Sequence, residues 1–171
     1  TEWVFFVIEV AGVYMLTYLA GRIDARTHLK VSLIFGLASY TTMLVIVGIL
    51  SFMMWPGQAA WYETGGMLNA FYGPNTFAQL GMRSAFMFTM TAVVGGIVAA
   101  RFTDAAFKRD VARKLAWLGI VSALAGALMF QWYLRTLPET AALVLANRLP
   151  AWFQPAILAI LGATLAYFVM T

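Results

Sequence analysis

Of 171 residues, 63% are hydrophobic and 11% charged, with a mean hydropathy of +0.83, more apolar surface than a water-soluble domain of this size could hide in one core. The net charge of +4 and pI ≈ 9.6 do not point to nucleic acid, because the basic residues sit in short connections beside apolar runs, the pattern of membrane orientation. The lack of cysteine excludes disulfides, thiolate metal sites, iron–sulfur clusters and CxxCH haem attachment.

Five apolar runs follow in chain order: 3–20, 31–55, 77–100, 115–134 and 151–170. Each is long enough to cross a ~30 Å hydrocarbon layer as a helix, and each is apolar all round rather than alternating, which argues against a barrel. The expected fold is all-α, a polytopic helical bundle forming a single transmembrane domain over 1–171. The first run lacks a basic segment before it and flows into a full-length span, so it is not read as a cleavable signal. Thr1 opens directly on a span, as a mature end after Met removal or a chain whose upstream half is a separate polypeptide would, and the favoured expectation is the split protein.

The connection after the first run carries Arg22, Arg26 and Lys30, and the one after the third carries Arg101, Lys108, Arg109, Arg113 and Lys114. The opposite connections hold only Arg135 and Arg148. The excess of Lys and Arg places the first and third connections in the cytoplasm, the N-terminus outside and the C-terminus inside. The second connection, 56–76, has no Lys or Arg but carries Trp61, Tyr62, Phe71 and Tyr72 among glycines, as suits the outer interface. In the fourth, PETAALVLANRLP (138–150) predicts a short interfacial helix started by Pro138 and stopped before Pro150. Gly95, Gly96, Ala99, Gly119, Ser122 and Gly126 are small residues spaced to let helix backbones approach, the means by which helices associate in lipid. The ten Met and thirteen Phe residues read as lipid-facing or core filler.

Two ionisable residues fall inside the runs, Glu9 and Arg83, at a cost of about 2.5–3.5 kcal/mol each on insertion scales. Both lie about six residues, roughly 9 Å, below the outer surface, so they are expected to meet, directly or through a water or cofactor group. Gln131 reaches the same end of the fourth run, and Glu2, seven positions before Glu9, lies on nearly the same face. Glu2, Glu9, Arg83 and Gln131 therefore form the expected site: a place to handle protons, a quinone headgroup or a haem propionate, or else a buried pair that only sets helix register. His28, the single histidine, is expected in a solvated loop and cannot supply a bis-histidine pair. With no HExxH, P-loop, GxGxxG, GxSxG or carboxylate cluster, the chain is not expected to be catalytic alone. A transporter or channel would show broken helices or several polar residues along one path, and neither pattern stands out.

Certain strings carry a resemblance. EWVFFVIEV (2–10), the RTH of the first connection, GILSFMMWPG (48–57), FYGPNTF (71–77) leading to Arg83, and Leu137–Pro138 are together similar to the later part of membrane proteins like subunit I of cytochrome bd quinol oxidase. The resemblance implies a membrane subunit of an electron-transport complex in the bacterial cytoplasmic membrane, helping to form a haem or quinol site. It also implies partners: a helical chain carrying haem-ligand histidines, and c-type cytochromes. Departures matter equally. The earlier histidine-bearing helices and the long quinol-binding loop of the oxidase have no counterpart here, and Arg83 stands near the place of a histidine. Any haem is thus expected to be ligated mainly by a partner, and oxygen reduction by this chain is not expected. The competing expectation is a structural or assembly subunit with no redox role.

Overall fold

The computed structural model describes residues 2–56, 61–66 and 72–170, those of Glu2, Tyr62 and Thr64 by backbone alone. The fold is all-α: α1 (Glu2–Tyr18), α2 (Ala25–Met54), α3 (Trp61–Thr64), α4 (Thr76–Ala99), α5 (Ala105–Arg135), α6 (Glu139–Arg148) and α7 (Phe153–Met170), with no strand among the described residues. Four helices, α2, α4, α5 and α7, are long and apolar enough to cross a membrane. At 17 residues, α1 stands at the lower limit for a crossing. The chain is an integral membrane protein.

Two helices start earlier than the apolar runs suggest, and both corrections have one cause. Asp24 caps α2, its carboxylate accepting from Thr27 N–H at 3.0 Å, and Asp104 caps α5, accepting from Ala106 N–H at 2.9 Å and Phe107 N–H at 3.1 Å. A capping carboxylate satisfies amides that the first turn leaves without partners. Arg26, His28, Lys30, Lys108, Arg109, Arg113 and Lys114 therefore sit on helical turns and not in loops. His28 is exposed on the first turn of α2, which corrects its loop assignment. The Thr27 hydroxyl and backbone amide hold the Asp24 carboxyl below its ordinary range. The helix expected between Pro138 and Pro150 is present as α6. Pro56 follows the C-cap Trp55, whose N–H donates to Ser51 O at 3.0 Å, and cannot continue the helix.

The chain divides into two compact units, Thr1–Thr76 and Phe77–Thr171. In the first, α1 and α2 form an antiparallel hairpin that turns through Gly21, whose φ of 76° favours glycine. The helices touch where Gly12 meets Phe35: a Cβ at Gly12 would lie 3.0 Å from the Phe35 ring. In the second unit α4, α5 and α7 pack on one another. Ala92, Ala116 and Phe168 form the buried centre, flanked by Val93 and Ile120.

Side-chain size is sorted in the direction lipid dictates. The buried apolar residues are mostly small, among them Ala38, Ala78, Ala92, Ala99, Ala116 and Ala123, whereas Leu37, Leu128 and Ile160 are 71%, 68% and 67% exposed. Lipid tails solvate a leucine as well as a protein interior does, so close backbone approach at small residues decides which faces meet. The glycines expected to serve this purpose do so. Gly95 lies against Leu115, Gly96 against Tyr167, Gly119 against Phe168 and Gly126 against Phe86.

Candidate functional site

Glu9 is half-buried on α1, and its Oε1 is buried with no hydrogen-bond partner. Its direction follows from its neighbours on the helix. Phe6, three residues before it, lines a cavity of about 370 Å³ with Trp3, Thr42 and Ile46, and Gly12, three residues after it, meets Phe35. Residues three apart share a face, so Glu9 faces α2 between these two points, at the level of Ala38 and Ser39. Thr42 in the cavity wall is engaged by its own helix, donating to Ala38 O at 3.1 Å.

A second orphan lies at the far end of α2. The Ser51 side chain is 1% exposed and its Oγ has no partner. Gly73 passes so close that a Cβ there would lie 3.0 Å from Ser51 Oγ and 3.2 Å from Trp55 O. The strings 48–57 and 71–77, which carry part of the resemblance, thus meet in the first unit where Gly73 passes Ser51 and Trp55. Gly57 and Phe71 of those strings lie outside the described residues, as does the Glu2 side chain.

Within the second unit, Arg83 on α4 is exposed and has no ion-pair partner among that unit's described residues. Gln131 is exposed on α5. Helices α4 and α5 run antiparallel in a steady register: Gly81 lies against Met129, Thr89 against Ser122, and Gly95 against Leu115. That register sets Gln131 level with Gln79, a residue composition did not single out. Gln79 is 5% exposed, with Oε1 buried and without a partner. Arg83 lies one turn deeper than Gln79, so the expected grouping of Arg83 with Gln131 is a proximity in height and not a bond. Glu9 belongs to the other unit, and neither unit by itself sets its distance from Arg83.

The buried polar pair that the structure does bring together is Thr89 and Ser122, with hydroxyls 2.9 Å apart. Each hydroxyl also has a carbonyl on its own helix, Ala85 O at 3.0 Å and Gly119 O at 3.2 Å. With two protons to serve three contacts, this pair fastens α4 to α5 and has no free donor. Thr89 escaped notice in the sequence because one threonine in an apolar run is unremarkable; its spacing of 33 residues from Ser122 has meaning only once the hairpin register is known.

Tested against a haem, the donor set is unequal. Glu9 offers an acceptor inside the first unit, but His28 lies about ten residues, roughly 15 Å, along α2 from the level of Glu9. One haem iron cannot sit at both. Among the described residues no three His, Cys, Asp or Glu side chains gather into a metal site. Compared with protein-family models, curated proteins and solved structures, the chain matches none.

Proposed function

We propose that this chain is a membrane subunit of a respiratory or related electron-transport complex, similar in kind to part of cytochrome bd oxidase subunit I, that helps form a haem or quinol site against a partner subunit. One observation carries the reading: a carboxyl oxygen of Glu9 is buried in an apolar helical hairpin with nothing to bond. An unsatisfied buried acceptor costs about 1–3 kcal/mol, and more when charged. A carboxyl under that cost is explained by a donor that arrives from outside the hairpin: a quinol hydroxyl or a protonated haem propionate. The resemblance of 2–10, 48–57 and 71–77 to the oxidase family supports the redox assignment, and the join between the latter two strings at Ser51 and Gly73 is in keeping with it. On this reading the haem-ligand histidines come from a second helical chain, and c-type cytochromes exchange electrons with the complex. The membrane is the bacterial cytoplasmic membrane, with the N-terminus outside and the clusters around Arg22–Lys30 and Arg101–Lys114 inside.

The test is a reduced-minus-oxidised visible spectrum, with quinone extraction, of the complex isolated from native membranes through a tag on this chain. Haem or quinone is expected to copurify. Glu9→Gln is expected to leave assembly intact and to lower quinol turnover by about a hundredfold, the low end for losing a positioned proton-transfer group. A complex with neither haem nor quinone overturns the redox reading. Normal turnover in both Glu9→Gln and Arg83→Leu leaves only a role in assembly.

A further inference from the structure

The second unit contains a lined trough that the reading above does not use. One cavity, of about 490 Å³, opens beneath α6 between the ends of α5 and α7, with Leu145 and Leu149 in its wall. A second, of about 540 Å³, continues along α4, α5 and α7 past Met90, Ala127 and Leu161. Phe130, Gln131, Ile157 and Leu158 line both, so the two join end to end. From Leu134 to Ala123 on α5 the trough descends eleven residues, about 16 Å, which is half of a ~30 Å hydrocarbon core. Its depth is that of one leaflet.

Polar groups occur where a lipid carries them. Gln131 and Gln154 bring amides to the α6 end, at the height of a lipid's ester groups. Arg135, four residues past Gln131, shares its face at the last turn of α5. Arg148, exposed in the last turn of α6, lies three residues from Leu145 and so at the edge of the face that walls the cavity. The one acidic residue of α6, Glu139, is about 13 Å from Arg148 along the helix axis but only four residues from Arg135, so the two arginines outweigh it by one charge. The mouth is therefore positive, the next level accepts and donates hydrogen bonds, and the interior is apolar.

We propose that this trough is a binding site for one anionic phospholipid, one of its two acyl chains lying between α4, α5 and α7, its ester groups at Gln131 and Gln154, and its phosphate at Arg135 and Arg148. Basic residues at the membrane surface attract anionic lipids, each strengthening binding about fivefold. The site is independent of the electron-transport reading and stands or falls separately from it.

The test uses the full chain in phosphatidylcholine vesicles with a phosphatidylglycerol analogue bearing a photoreactive diazirine at mid-chain. Crosslinks are expected to concentrate on peptides containing Met90, Leu128 and Leu161. Unlabelled phosphatidylglycerol should suppress them at about one twenty-fifth of the concentration that phosphatidylcholine requires. The surface variant Arg135→Gln/Arg148→Gln should bring the two competitors to within a few fold of each other, and Ala127→Phe should abolish labelling of Leu161 with helical circular dichroism unchanged. Labelling spread equally over the lipid-facing residues of α2, equal competition by the two lipids, or arginine variants that label like wild type would each overturn the assignment. If Ala127→Phe does not fold, the arginine variants decide alone.

Discussion

Glycine-to-alanine changes at two positions should move stability in opposite directions, although both lie within helices of the second unit. At Gly119 on α5 a new Cβ would run into three atoms of the Phe168 ring, and that ring is 3% exposed at the centre of the unit. A ring is stiff and cannot give way as a flexible chain end does, so the helices must separate. Overpacking of this kind costs about 1–3 kcal/mol. Alanine in place of glycine in a helix returns about 1 kcal/mol, leaving a net loss of up to about 2 kcal/mol. At Gly162 on α7 a Cβ meets nothing within 4 Å, so only the favourable helix term remains and the protein should be unchanged or up to about 1 kcal/mol more stable. The assay is equilibrium unfolding in mixed micelles, titrating a denaturing detergent and following circular dichroism. Phe168→Leu combined with Gly119→Ala should recover part of the loss, since the smaller side chain clears the Cβ. If Gly119→Ala and Gly162→Ala shift the midpoint alike, close packing at Gly119 does not hold α5 to α7 and the reasoning fails.

A double-mutant cycle of Thr89→Val and Ser122→Ala should give a coupling of about 0.6 kcal/mol, the average for hydroxyl pairs in membrane helices. A value above 2 kcal/mol would contradict the backbone carbonyl partners each hydroxyl keeps. In the first unit, Gly12→Val should weaken the α1–α2 hairpin, because Phe35 already stands 3.0 Å from the Cβ position; protease sensitivity of the Gly21 turn in detergent reads this directly. The Asp24 carboxyl is held below its ordinary value of 3.8 by Thr27. Its capping contribution is therefore complete above that pH and is lost as pH falls through the lower folded-state value. The stability difference between wild type and Asp24→Ala, measured from pH 7 down to pH 3, should stay level at first and shrink only below about pH 4.

The all-helical fold could be read from the runs because a membrane leaves the backbone few choices: each crossing must satisfy its own amides, and long apolar stretches do so only as helices. The glycines of α4 and α5 were readable for a related reason, since lipid offers no competing drive to bring large side chains together. Helix starts were harder to see. Asp24 and Asp104 terminate charged segments that hydropathy alone assigns to loops, and their capping role depends on one side-chain oxygen reaching an amide two or three residues on. The candidate site was legible only in its costliest members. Glu9 stands out as a carboxylate in hydrocarbon, but Gln79 and Ser51 are ordinary in composition, and what distinguishes them is burial without a partner. Gln131 was visible as a polar residue near the end of its run, but its neighbours Ile157 and Leu158 follow only from the α4–α5 register and the packing of α7.

Helix α5 has 31 residues and so extends about 46 Å, some 16 Å beyond the hydrocarbon thickness. The surplus is its amphipathic start, where Lys114 and Asp110 form a 2.7 Å ion pair one turn apart. A rod whose apolar length ends in charged but still helical turns can accept a thinner or thicker bilayer by letting the water boundary move along those turns, with the long Lys and Arg stems adjusting there. Helix α7, with 18 residues, has no such reserve. Differences in membrane thickness between growth temperatures or lipid diets would thus be absorbed at one end of α5, while the depth of the α7 contacts stays constant.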